Sequence, residues 1–174
     1  IYNDNGKKIK ENGYATNLTT DFALDWLKKR NSDKPFCLLL QYKAPHREWS
    51  PDEKYKDLWE NEELPYPATF NDDYSTRELT AGNTEMTIDY FCREDMKMIP
   101  PDSLSKSEKN KWFSYGFKRD EIVVLDNNIS NEENKKLKFQ IYIKDYLATI
   151  KSVDDNIGRV LDYLKDSKLE DNTI

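Results

Sequence analysis

Residues 34–51 read Lys34-Pro35-Phe36-Cys37-Leu38-Leu39-Leu40-Gln41-Tyr42-Lys43-Ala44-Pro45-His46-Arg47-Glu48-Trp49-Ser50-Pro51. Within them, Phe36 to Gln41 is a short apolar run with no helical period, bounded by Lys34-Pro35 and Ala44-Pro45. Such a run predicts a strand over 36–42 that is buried on both faces, as in a parallel sheet. In open α/β sheets, ligands bind beyond the carboxyl ends of the strands. The loop after this strand is therefore the first place to look for chemistry, and it carries Lys43 and His46, the only histidine in 174 residues.

Working outward toward the N-terminus, Leu18, Phe22, Ala23, Trp26 and Leu27 repeat at helical spacing and predict a helix over 18–30. Asn17 or Thr19 is placed to cap its start, and Lys28-Lys29-Arg30 complements the dipole at its end. Residues 1–16 are polar, with Asn-Gly at 5–6 and 12–13, and read as loop or a hairpin fragment.

Toward the C-terminus, residues 52–134 read as a long irregular insert, charged and punctuated by Pro65, Pro67, Pro100 and Pro101. Short helical candidates lie at 52–60, 83–96 and 105–113, and Trp49, Trp59 and Trp112 supply aromatic surface for an ordered excursion. Ser130, three before Glu133, forms a capping-box pattern at a helix start. From there Ile143, Tyr146, Leu147, Ile150, Val153, Ile157, Val160, Leu161 and Leu164 repeat every three or four residues. They predict a helix over 135–166 within a segment 135–168, packed on the sheet through Ile150, Val153, Ile157 and Leu161. Asp154 falls on that stripe, where a carboxylate needs a partner, so a buried anchor is expected there. Asp155 and Arg159 stand at the spacing of a surface pair. Gly158, unfavourable in a helix interior, predicts close approach of another backbone. A new strand is expected at Thr173-Ile174, which makes strand, excursion, helix, strand a crossover connection of a parallel sheet.

Bulk properties exclude several functions. With 27 basic against 33 acidic residues, a net charge of −6 and a pI near 5.0, the chain lacks the basic footprint of a nucleic-acid binder. No stretch approaches the ~18 apolar residues of a membrane span. The chain opens on Ile1 and closes on Asn172-Thr173-Ile174 at what reads as the start of an apolar run, so an internal segment of a larger protein is expected, its partner being the rest of the same polypeptide. Cys37 and Cys92 have no paired spacing and read as free structural thiols, Cys37 within the buried strand. Asn17-Leu18-Thr19 and Asn128-Ile129-Ser130 are sequons, meaningful only in a eukaryotic secretory protein.

A lone histidine is more often an ordinary surface or core residue than a catalytic one. Its place in a loop after a buried strand, with Lys43 beside it and Pro45 limiting the backbone, offers a cation and an imidazole to an oxyanion such as sulfate or phosphate. Arg47 adds a third positive group, for which solvent exposure is the default. Asp72-Asp73 reads as solvated turn residues, and metal ligation or acid/base work is the sharper alternative for it and for Asp154-Asp155. The sequence holds no P-loop, Gly-x-Gly-x-x-Gly, His-Glu-x-x-His or Gly-x-Ser-x-Gly, and its five glycines form no phosphate cradle.

Three segments together resemble the type I sulfatase family of the alkaline-phosphatase-like superfamily. Lys34-Pro35-Phe36 through Lys43-Ala44-Pro45-His46 to Trp49-Ser50-Pro51 resembles the family's strand and histidine loop. Leu64-Pro65-Tyr66-Pro67-Ala68-Thr69-Phe70-Asn71-Asp72-Asp73-Tyr74 is similar to the linker that follows. Tyr146-Leu147-Ala148-Thr149-Ile150-Lys151-Ser152-Val153-Asp154-Asp155-Asn156-Ile157-Gly158-Arg159-Val160-Leu161 resembles the long helix before the family's metal-binding strand.

The resemblance implies an α/β fold in which residues 1–174 are one segment of a catalytic domain: strand and histidine loop 34–51, insert 52–134, long helix 135–168. It also implies a sulfuric ester hydrolase acting on a sulfated carbohydrate such as a 6-O-sulfated amino sugar of glycosaminoglycan or mucin, with a periplasmic or secreted location. His46 matches the family histidine that contacts the sulfate, giving it the catalytic and substrate-binding roles, and Lys43 joins it in binding. A formylglycine made from Cys or Ser and a calcium ion held by Asp and Asn are implied as well. Neither Cys37 nor Cys92 begins a Cys/Ser-x-Pro-x-Arg motif, and the family's early paired aspartates and late Asp-Asn ligands are not matched in this sequence, so no metal ligand is assigned within it. A phosphodiesterase or phosphonate hydrolase of the same superfamily is disfavoured by the single histidine; a non-catalytic binding module is the third alternative.

Overall fold

The computed structural model describes residues 2–84, 87–88, 95, 104–107, 109 and 130–174. The expectations placed on Cys92, Trp112, Asn128, Pro100-Pro101, 126–129 and most of 83–96 and 105–113 lie outside the described residues. The chain divides into two compact units, one of Ile1–His46, Ser50–Lys56 and Leu147–Ile174, the other of Arg47–Trp49 and Asp57–Tyr146.

In the first unit, β1 (Tyr2–Asp4) and β2 (Lys7–Ile9) form an antiparallel hairpin in the register Tyr2↔Ile9 to Asp4↔Lys7. Asn5 and Gly6 turn it with φ of 49° and 89°, the positive values a two-residue hairpin turn demands. The ring of Tyr2 meets Phe22 edge-on at 5.1 Å, Phe22 lying on α1 (Ala15–Lys29). That helix starts earlier than the apolar period suggests. Its N-cap is Tyr14, with no side-chain cap bond, so neither Asn17 nor Thr19 caps it. Thr19 instead donates back to the Ala15 carbonyl at 2.8 Å. The buried line is Thr16, Thr20, Ala23 and Leu27, while Phe22 and Trp26 remain 37% and 45% exposed.

Residues 36–42 are not paired as a strand among the described residues. Phe36, Leu38, Leu40 and Tyr42 are half-buried and Cys37, Leu39 and Gln41 exposed. The alternation is that of an extended chain lying on one layer. Burial on both faces is thus corrected to one face, and the Cys37 thiol is exposed. The physical reason is that an apolar run records two-sided burial only where a second layer and neighbouring strands exist. Neither is present among the described residues, whose one sheet is the terminal hairpin.

The long helix, α3, runs Asn131–Asp166, with a short α2 (Leu79–Gly82) before it. The capping box is formed in both directions: Ser130 Oγ accepts from the Glu133 N–H at 3.2 Å, and Glu133 Oε2 accepts from the Ser130 N–H at 2.9 Å. Beyond Asp166, Lys168 takes a φ of 58° and the Leu169 N–H returns to the Leu164 carbonyl at 2.8 Å, closing the helix. A 3₁₀ turn follows at Glu170–Asn172, and Thr173 is extended without strand pairing.

Within the second unit, Tyr66, Phe70 and Phe139 form a ring cluster with centroids 5.0–5.3 Å apart. The Gln140 amide brackets Leu64, accepting from its N–H at 2.9 Å and donating to its carbonyl at 2.7 Å. Lys135 donates to the Phe70 carbonyl and Asn71 Oδ1. Trp49 packs edge-on against Tyr142 at 4.6 Å.

The C-terminal part of α3, in the first unit, buries a different face from the one its apolar period indicates. Ala148, Thr149, Ser152 and Asn156 are almost inaccessible, whereas Ile157 and Leu161 are 45% and 58% exposed. Small and polar groups line the buried side because it is joined by hydrogen bonds rather than by greasy packing. Asn156 Nδ2 donates to Asn17 Oδ1 of α1 at 2.7 Å and to the Ser152 carbonyl at 2.8 Å. Arg159 donates to Asn156 Oδ1 at 2.9 Å and to Asp21. The expected surface pair of Asp155 with Arg159 is therefore replaced. Asp154 is corrected too: it is exposed and, among the described residues, pairs with Lys151 at 3.3 Å, because the polar side chains that this part of the helix buries are Ser152 and Asn156 on either side of it. At Gly158 a Cβ would meet nothing within 4 Å, so the close approach is not made there.

Removing the Asn156 side chain leaves the Asn17 carbonyl oxygen and the Arg159 guanidinium without their shared partner. Asn156→Ala is expected to cost about 1–3 kcal/mol of stability, and Asp154→Ala less than about 0.5 kcal/mol, both read from urea denaturation midpoints. Equal effects would mean that the polar line contributes nothing beyond surface chemistry.

Candidate functional site

The turn holding the sequence-derived site residues is closed by the His46 N–H, which donates to the Lys43 carbonyl at 2.9 Å. The Ala44–Pro45 peptide within it is cis. The side chains of Lys43 and His46 are both exposed, one turn apart on the same short segment. Lys43 thus presents a compact cation and His46 an imidazole, the pair a small oxyanion needs for charge and a hydrogen bond.

The chain is held on both sides of this turn. On the entering side, Tyr42 Oη lies 2.7 Å from Thr20 Oγ1. The one hydroxyl hydrogen of Thr20 goes to the Thr16 carbonyl at 3.0 Å, so Tyr42 is the donor. On the leaving side, Tyr14 Oη donates to the Ser50 carbonyl at 2.9 Å. Asp52, 8% exposed, follows: its Oδ2 accepts from Asn17 Nδ2 at 2.6 Å. Its N–H donates to Ser152 Oγ at 3.0 Å, and Ser152 passes its own hydrogen to the Ala148 carbonyl at 2.9 Å. Asp52 Oδ1 also accepts from the Lys54 N–H at 3.3 Å, capping the 3₁₀ turn Glu53–Tyr55. Among the described residues, no buried side-chain polar atom of this group lacks a partner, which is how the Asp52 carboxyl is accommodated there.

Just beyond, Asp155 of α3 gathers Lys54 at 3.1 Å, Lys151 at 2.6 Å and the Tyr55 hydroxyl. The donors from Lys151, Tyr55 and Lys54, in that order of weight, hold its carboxyl well below the ordinary carboxylate range.

The remaining candidates are dispersed. Arg47 binds Asp95 within the second unit, its Nε 2.8 Å from Oδ1 and its second nitrogen on Oδ2. Asp95 is buried and Arg47 half-exposed, so solvent is only part of Arg47's surroundings. Nothing near Arg47 in sequence foretells a partner in the insert. Asp72 accepts from the Tyr74 N–H at 2.9 Å and from Arg77, and Asp73 from the Ser75 N–H at 2.9 Å. These are turn-forming carboxylates, as the sequence suggests. The tethering residues were missed, although Asp145, Thr149, Ser152 and Asn156 do form a polar line at helical spacing that an all-apolar search passes over. Among the described residues, no group of three or more His, Cys, Asp or Glu is placed to hold a metal ion.

The sulfatase family model matches residues 1–174, and the chain belongs to the sulfatase family. It is 35% identical, over 98% of its length, to an N-acetylglucosamine-6-O-sulfatase of Bacteroides thetaiotaomicron, and 34% identical over a third of its length to an arylsulfatase of Clostridium perfringens. Its structure matches, with a TM-score of 0.85 and 32% identity over 97% of the chain, a protein solved in complex with its substrate D-glucosamine-2-N,6-O-disulfate. That match supports an α/β fragment, although among the described residues helices predominate and the one sheet is the terminal hairpin. The chain spans about a third of these relatives, 34% of the first and 37% of the solved structure.

Asp155 gives this region a pH dependence. Its folded pKa lies below the unfolded value of about 3.9, so its contribution to stability is fully present above that value and is lost as pH falls through the folded pKa. Asp155→Asn is expected to lower stability at pH 7, with the gap to the unchanged protein narrowing only below about pH 4. Denaturant titrations at pH 7, 5 and 3 check this; a gap that is constant with pH would place the effect outside the ionised carboxylate.

Proposed function

We propose that the protein carrying this chain hydrolyses sulfate esters of amino sugars, its substrate class being 6-O-sulfated glucosamine or N-acetylglucosamine units such as those of glycosaminoglycan or mucin. The observation that carries this reading is the structural match, over 97% of the chain, to a protein whose substrate is a 2-N,6-O-disulfated glucosamine. The 35% identity to an N-acetylglucosamine-6-O-sulfatase supports the same position on the sugar. On this reading, 36–42 is a strand of the complete fold's parallel sheet, and its loop opens on the bound sulfate. The enzyme works in the periplasm or outside the cell, where sulfated glycans are met.

A sulfate monoester carries one negative charge on its terminal oxygens. As the S–O bond breaks, further charge develops on the bridging oxygen. Lys43 supplies a fixed positive charge for the sulfate. His46 donates a hydrogen bond to a sulfate oxygen or to the bridging oxygen, an interaction that strengthens as the bond breaks and so lowers the barrier. The family implies a formylglycine and a calcium ion as the source of nucleophile and further charge neutralisation. The residues described here fit neither: they form no metal-binding group, and no Cys or Ser begins the Cys/Ser-x-Pro-x-Arg motif. No step is assigned through either group.

The full-length protein is expected to release inorganic sulfate from 6-O-sulfated N-acetylglucosamine and to leave phosphodiesters untouched. His46→Ala should lower kcat by roughly 10²-fold or more with the melting temperature unchanged, and Lys43→Ala should raise KM. Near-normal kcat in His46→Ala would remove His46 from the reaction; phosphodiester turnover without sulfate release would replace the sulfatase reading by its superfamily alternative.

A further inference from the structure

The side chains of Lys43 and His46 are exposed, and their reach depends in part on the backbone of the turn that carries them. The segments that enter and leave this turn are both tied to one surface. Tyr14, Asn17 and Thr20 stand three apart, a single ridge along the start of α1. Thr20 takes the Tyr42 hydroxyl on the entering side, and Tyr14 and Asn17 take Ser50 and Asp52 on the leaving side. α1 is in turn fixed to α3 by Asn17–Asn156 and Asp21–Arg159. The hydrogen bonds of Thr20 and Asn17 are at least half-buried, which keeps water from competing for them.

We infer that this ridge of α1, together with Tyr42, forms a set of positioning residues that hold the His46 turn from both sides and so set the reach of the imidazole toward the sulfate. The inference rests on the role given to His46 above. Sub-ångström placement matters here, because a hydrogen bond to a developing charge must be aligned before the bond breaks, and a displacement of about 1 Å can lower a rate by ~10²-fold. None of the ridge residues touches the reacting atoms; they act through the turn.

Tyr42→Phe and Tyr14→Phe remove one hydroxyl each and keep the ring. Thr20 retains its bond to Thr16, so neither change strands a buried donor. In the full-length protein, assayed on 6-O-sulfated N-acetylglucosamine, each variant should lower kcat and the pair together by roughly tenfold to 10²-fold, with melting temperatures close to that of the unchanged protein. In a His46→Ala background the same substitutions should produce no further loss of kcat, since there is no imidazole left to misplace. Crystal structures of the double Phe variant should show the 43–46 turn displaced. Unchanged kcat in the Phe variants beside a strongly impaired His46→Ala would overturn the inference, as would an equal loss in the His46→Ala background. Should His46→Ala itself turn over normally, the reading of His46 fails, and the crystal structure decides positioning alone: a turn that has not moved overturns it.

Discussion

The burial of the Asp52 carboxylate is the constraint on which the first unit depends. A buried polar group is tolerated when it is hydrogen-bonded, and here each carboxyl oxygen accepts one bond, from Asn17 of α1 and from the Lys54 backbone amide. Once Asn17 is committed to Asp52, its other amide atom is committed to Asn156, and Asn156 to Arg159. The chain of donors leaves few alternative arrangements of α1, α3 and the segment between them. A set of hydrogen bonds with every member satisfied specifies geometry more sharply than apolar contact, which tolerates sliding and repacking. The short side chain of Ser152 lets its hydroxyl take the Asp52 N–H directly, which ties the 50–56 segment to α3.

The elements that local rules govern were legible in the sequence. The Asn5-Gly6 hairpin, the Ser130–Glu133 capping box and most of the span of α3, which starts four residues before the range its apolar period gives, all follow from interactions among residues close in sequence. The faces were less legible, because which side of a helix is buried is decided by what lies beside it. Ile157 and Leu161 make an apolar line that the described residues do not cover, and Asp154, read as an anchor on that line, is simply solvated. Its neighbour Asp155 has the partners instead, all but one of them from the 54–55 turn about a hundred residues earlier. No periodicity in one segment encodes a partner at that distance.

The same division holds for the site. His46 and Lys43 could be singled out because a loop after an apolar run is a position defined by local pattern. The residues that hold the loop, Tyr14, Asn17, Thr20 and Tyr42, look unremarkable one by one. Their common property is a spacing of three along α1 that becomes meaningful only when both sides of the loop are seen to land on it.

An exposed pair on a held loop is a combination suited to binding a sulfated sugar. Exposure lets a bulky, hydrated substrate approach both side chains. The hydrogen bond that His46 is proposed to make also depends on alignment. Tying the chain behind the turn serves that alignment while leaving the side chains open to solvent. It also explains why the most buried groups of this unit are polar: their task is to fix the backbone of a loop that must itself remain open to solvent.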